Sequence, residues 1–152
     1  MFETIDNESR QFWEEREKEK GGKISFFTFA TFLGRSGDKQ LNLGGLLYLI
    51  NKTLTFEDFE KENWLLKILN RKKEYEKTEL EIKKDDIVET KLVSKNTALN
   101  CISGFIEDVD TKPLTGVGGL FLQKVFQIRM KSGYSLFFEI MKTKEFLAAT
   151  AS

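Results

Sequence analysis

The chain has 152 residues, 40% of them apolar, enough for one domain around one core. Its 24 basic and 24 acidic side chains cancel, which removes any general argument for nucleic acid or an anionic surface as partner. It holds no histidine and a single cysteine, Cys101, so histidine-based acid–base and nucleophilic chemistry, most zinc sites and an intrachain disulfide are excluded.

A lone thiol suits a reducing compartment, and the first residues are acidic and interrupted where a leader would be basic and then apolar. No apolar run approaches the ~20 residues of a membrane-spanning helix. These features point to a cytoplasmic chain with no transmembrane segment. Phenylalanine, with 14 copies, is the distinctive residue. It reads as core packing, with an aromatic-lined ligand cavity as the alternative. Charge is unevenly placed. Residues 1–22 hold seven acids against four bases, and residues 112–144 hold six bases against one acid, Glu139.

In chain order, residues 6–20 predict a helix with Asp6 as N-cap and Gly21-Gly22 as its stop. Ile5, Phe12, Trp13 and Arg16 fall on one side. This helix is either a docked flank of the domain or is offered to a partner, with Phe12 and Trp13 as its contact residues. Residues 1–22 are therefore set apart as a helical appendage to a domain spanning 23–152.

Ile24 to Leu33 is strand material with apolar groups on both faces: Phe27, Phe29 and Leu33 on one, Phe26 and Phe32 on the other. That suits a strand in a strongly curved or covered sheet better than one with a wet side. Gly34 to Lys39 reads as a turn. Gly44 to Phe59 reads as a hairpin about Asn51-Lys52, with Leu49 facing Leu54 and Leu47 facing Phe56 on the core side. Tyr48 faces Thr55 and Ile50 faces Thr53 on a mixed side. Lys52 is a poor second residue for a type I′ turn, which favours a loop one or two residues longer.

Between Glu60 and Lys77, Trp64, Leu65, Ile68 and Leu69 fit a short amphipathic helix or a further strand. Thr78 to Lys83 alternates with Leu80 and Ile82 inward, Asp85-Asp86 turns the chain, and Ile87 to Val93 is a strand with Val88 and Leu92 on one side. Residues 94–123 hold the only proline, Pro113, and a glycine cluster. They read as a long insertion with a short ordered piece over Ala98 to Ile106 and a mobile end. The closing hairpin places Lys131-Ser132-Gly133 in a three-residue loop with Gly133 left-handed. Met130 then faces Tyr134, Ile128 faces Leu136 and Phe126 faces Phe138, whereas a two-residue turn sets Phe126 against Glu139. Thr143 caps a short terminal helix holding Phe146 and Leu147.

Six or seven strands without alternating helices imply antiparallel pairing in a barrel or sandwich. The run from Ala30 to Glu62, with Gly45, Leu47, Leu49, Asn51-Lys52, Leu54 and Phe56, resembles the start of GRAM and bacterial pleckstrin-homology-like domains. LEIKKDDIVETKLV is similar to the next block of that family, and FQIRMKSGYSLFFEI to its closing hairpin. The resemblance covers residues 24–149. It implies a mainly β, bent, partly open seven-stranded antiparallel barrel capped by a short C-terminal helix, here with an extra N-terminal helix. It also implies binding of phosphoinositides, phosphopeptides or proteins. Arg35 and Lys39 are the only cations in the loop where lipid-binding members place theirs, a thin set for a phosphate site.

No residue pattern supplies a catalytic centre. Asp108-Val109-Asp110-Thr111 lacks the remainder of a phosphatase motif or calcium loop and reads as an acidic loop. Gly116 to Gly119 lacks the Lys-Ser/Thr of a phosphate loop. Cys101 reads as a buried structural thiol. The expectation is a non-catalytic binding module for a protein or peptide, with no enzyme activity, cofactor, metal or nucleic acid. A carrier with a Phe-lined cavity for a small molecule or lipid is one alternative, and phosphoinositide or membrane-surface binding is another. An exposed edge strand offers a route to homo-oligomers.

Overall fold

The computed structural model describes residues 2–58, 79–114, 124–141 and 143–150, with residues 2–9 described by backbone alone. The elements are α1 (Phe2–Lys20), β1 (Ile24–Arg35), β2 (Leu43–Ile50), β3 (Thr53–Asp58), β4 (Glu79–Lys83), β5 (Ile87–Ser94), α2 (Lys95–Ile102), β6 (Lys124–Met130), β7 (Ser135–Ile140) and α3 (Thr143–Thr150). The strands form one antiparallel sheet in the order β4-β3-β2-β1-β7-β6-β5. The architecture is mainly β with flanking helices. The sheet curls but does not close into a barrel, because β4 and β5 are its two edges.

The curl follows from β1, whose N-terminal part pairs with β2 and whose C-terminal part pairs with β7. A bulge between Phe32 and Gly34 lets one strand serve both halves. Leu80 and Ile82 of β4 thereby share a core with Ile87 and Leu92 of β5, although the two strands do not pair. Phe32, Phe56 and Phe138 meet at the centre of this inner face, with ring centroids 5.0–5.9 Å apart. Phe146 of α3 enters from the end and packs on Phe126 at 4.7 Å and Phe26 at 6.2 Å. Among the described residues this interior is packed with aromatic and aliphatic side chains.

The outer face has two covers. α1 lies over β1 and β2 through Trp13. On the other half, α2 closes a second cluster of Leu33, Val93, Ala98, Cys101, Ile102, Val125 and Phe137. The two apolar faces of β1 are explained by these covers. Phe26 and Phe32 go inward, Leu33 lies in the outer cluster, and Phe27 lies beneath Trp13.

Both hairpin registers agree with the sequence. Leu49 is opposite Leu54, Leu47 opposite Phe56, Ile128 opposite Leu136 and Phe126 opposite Phe138. Gly133 has φ +99. Other expectations need correction. The loop at Asn51-Lys52 is two residues long after all, with φ of 51 and 62, because packing on both flanking strands fixes the register and Lys52 accepts the left-handed conformation. Val88 and Leu92 do not share a side: a bulge between Ile87 and Glu89 leaves Val88 exposed, while Ile87 and Leu92 both face the core. Gly34 and Arg35 belong to β1, and the turn is confined to the residues after them.

The ordered piece expected over Ala98 to Ile106 is present and begins earlier, as α2 from Lys95. Ser94 caps α2 by accepting a hydrogen bond from the Thr97 amide at 3.1 Å, and α2 buries Ala98, Cys101 and Ile102 against the sheet. The expectations for Glu60 to Lys77, and for the glycine cluster at 115–119, lie outside the described residues. No helix among the described residues is long and apolar enough to cross a membrane.

Candidate functional site

The end of α2 builds the first part of the site. Gly104, with φ +86, donates to the Cys101 carbonyl at 3.1 Å, and the Phe105 amide donates to the Asn100 carbonyl at 2.9 Å. This paired closure stops the helix, and glycine supplies the left-handed residue it requires. In such a stop the residue in the place of Phe105 ordinarily folds back onto an apolar residue of the last turn. Here that turn offers Asn100, and Phe105 points outward, 83% exposed.

Asp108 then pins the loop. Its Oδ2 accepts from the Ser36 hydroxyl at 2.8 Å and the Ser135 hydroxyl at 2.6 Å, and its Oδ1 accepts from the Cys101 thiol at 3.6 Å. Gln127, fully buried on β6, donates to the Asp108 carbonyl at 3.0 Å and to Ser135 Oγ at 2.9 Å, and accepts from Thr111. The Ser135 amide donates to Ser36 Oγ at 2.8 Å. Lys91 of β5 donates to the Thr111 carbonyl at 2.8 Å. The Ser36 and Ser135 hydroxyls are thus each engaged as donor and acceptor, and the Thr111 hydroxyl as donor. Burial, followed by the Asp108 charge, pushes the Cys101 thiol up to about 12, so the thiolate is suppressed.

The consequence is a fixed loop over residues 103–110 that presents Phe105 and, one residue after the pin, Val109, 65% exposed. Glu107 and Asp110 beside them are exposed. The acidic-loop expectation covers Asp108 to Thr111 alone, and nothing in the sequence ties Asp108 to Ser36, Ser135 and Gln127. They lie 8 to 99 positions apart along the chain, and no spacing rule connects them.

The structure separates the other candidates. Phe12 and Trp13 meet edge to face at 4.9 Å, and Trp13 packs on Phe27 at 4.9 Å and on Tyr48 at 5.4 Å. Arg16 lies 4.4 Å over the Phe12 ring and forks onto Glu57 at 2.7 and 2.9 Å. Trp13 is thereby a docking residue within the chain. Arg35 stacks 3.9 Å over the Tyr134 ring. Lys39 is exposed, and the carboxylate of Asp38 accepts from its amide at 2.9 Å. The two cations sit at the start and end of one turn, which Ser36 ties to the Asp108 cluster.

No family model matches the chain, and no curated protein matches it. Among solved structures, the C-terminal domain of an unknown protein from Leishmania infantum is similar, with a TM-score of 0.52 and 10% identity over 93% of this chain and 92% of that one. At that identity the likeness speaks for the shared fold alone.

Proposed function

We propose that this chain is a non-catalytic binding module of pleckstrin-homology-like type, and that it takes a protein or peptide partner at the 103–110 loop. The observation that carries the reading is two exposed apolar side chains, Phe105 and Val109, on a loop that Asp108 ties to Ser36 and Ser135. Holding a loop in one conformation removes an ordering cost on association, and an exposed aromatic on such a loop has the form of an interface anchor. The polar groups in the cluster are spent on one another, and the Cys101 thiol is held protonated, so the cluster reads as scaffold. The strand order, the shared β1 and the inserted α3 support the pleckstrin-homology-like assignment. The single buried cysteine supports a cytoplasmic setting.

The alternatives draw less support. A carrier needs interior space, and Phe32, Phe56, Phe126, Phe138 and Phe146 fill the described interior. A phosphoinositide site needs converging cations, and Arg35 is turned onto Tyr134. Affinity capture from the native host tests the reading, comparing the wild-type chain with the Phe105→Ser/Val109→Ser double variant. A partner retained by the wild type and lost by the double variant is expected. Identical partner lists would sink the proposal.

A further inference from the structure

A second surface lies under α1, on the opposite half of the sheet, and its chemistry is ordered. Two rows of outward side chains cross four strands. One runs Phe27, Tyr48, Thr55, Glu81; the next runs Phe29, Leu46, Glu57, Glu79. Each row is aromatic at β1 and acidic at β4. α1 follows the same gradient. Trp13 stacks on Phe27 and Tyr48, Arg16 forks onto Glu57, and Lys20 reaches Glu79 at 3.0 Å and Glu81 at 2.5 Å. These three residues stand at i, i+3 and i+7, one face of a helix.

We infer that this face is a helix-reading groove and that α1 is its resident ligand in cis. In trans it would take an amphipathic helix with an aromatic residue, arginine three positions on and lysine four beyond that. Glu57 is the deciding residue. It is 4% exposed and is met by Arg16 and by the Tyr48 hydroxyl. A buried carboxylate costs desolvation that an apolar residue would not, so it adds little as glue and much as a selector for one bidentate cation. The acidic end, with Glu79 and Glu81, fixes the direction in which a cationic helix lies. This surface is separate from the 103–110 loop, and either can fail without the other.

The test uses the full chain carrying Trp13→Ala and Arg16→Ala as receptor, and a fluorescein-labelled synthetic peptide of residues 1–22 as probe, read by anisotropy. The expected result is saturable binding to this receptor, at least tenfold weaker to the wild-type chain, where α1 competes at an effective concentration on the order of millimolar. Reversing Glu79 and Glu81 to lysine in the receptor weakens the peptide, and a Lys20→Glu peptide restores it. If the double variant does not melt cooperatively, a Lys20→Glu chain, which loses ion pairs to partly exposed acids, replaces it as receptor. Absence of saturable binding up to ~1 mM peptide, equal binding to both chains, or indifference to the charge reversal would overturn the inference. Dimerisation of the wild-type chain by exchange of α1 would overturn the hetero-partner in favour of a second copy.

Discussion

Replacing Asp108 by alanine should destabilise the fold far more than a change at the loop tip it supports. The carboxylate accepts from two hydroxyls at 2.6 and 2.8 Å and from a thiol at 3.6 Å. Hydrogen bonds to a charged group contribute about 1.5–3 kcal/mol each, and the thiol adds little. Removal leaves the fully buried Ser135 hydroxyl without its acceptor, whereas Gln127 keeps the main-chain carbonyl of residue 108 and Ser36 is half-buried and regains water. Relief of the carboxylate's own desolvation offsets part of the loss, leaving a net of about 2–4 kcal/mol. In a chain of this size that lowers Tm by roughly 4–16 °C. The assay is urea unfolding, with the midpoint falling and the slope unchanged, beside thermal melts. Asp108→Asn, which keeps one accepting oxygen, should lose about half as much. Phe105→Ala should stay within about 0.5 kcal/mol of wild type, as a surface change does. A loss below ~0.5 kcal/mol for Asp108→Ala, or an equal loss for Phe105→Ala, would refute the idea that Asp108 pins the loop and Phe105 does not.

Three further outcomes are expected. The Tyr48 phenol is pushed up by burial and by its hydrogen bond to Glu57, so its folded value lies above its unfolded one. The stabilisation is whole below the unfolded value near pH ~10 and is lost as pH rises beyond it; Tyr48→Phe should flatten the alkaline fall in stability measured by urea midpoints from pH 9 to 11. Lys52→Gly should stabilise by about 0.5–1 kcal/mol, because glycine takes φ +62 without strain, and a lower urea midpoint would count against the turn geometry. Gly45→Ala should cost about 2 kcal/mol or more, since its Cβ would stand 2.2 Å from the Glu57 carbonyl oxygen on the neighbouring strand; an unchanged melt would show that β2 and β3 lie further apart.

The sequence was most legible where a one-residue slip is costly. The Phe126–Phe138 and Leu47–Phe56 pairings follow from alternation on both strands, since slipping either hairpin turns its apolar side chains away from the core. Tertiary partners hid the rest. Glu57 looks like part of a wetted face by composition, yet it is buried, with Arg16 of α1 forked onto it. Val88 is one extra residue in an otherwise regular strand, and a bulge leaves no mark in alternation over so short a run. α2 had a local signal in Ser94 and Thr97, but the loop-like composition after it masked the cap. The Asp108 cluster had none, because its members come from two strands, a turn and a helix.

The double use of β1 also bears on synthesis. Its second edge pairs with β7, roughly a hundred residues later in the chain. At translation rates of about 5–20 residues per second, that edge waits on the order of 5–20 s on the ribosome for its partner, longer than local hairpins take to form. During that interval the strand holding Phe26, Phe27, Phe29 and Phe32 offers unpaired backbone and aromatic carbon to whatever is near. Chaperone occupancy on stalled nascent chains should therefore persist until Ser135 to Ile140 has emerged and fall once it has, while a fall before β7 emerges would mean that β1 is protected by other contacts.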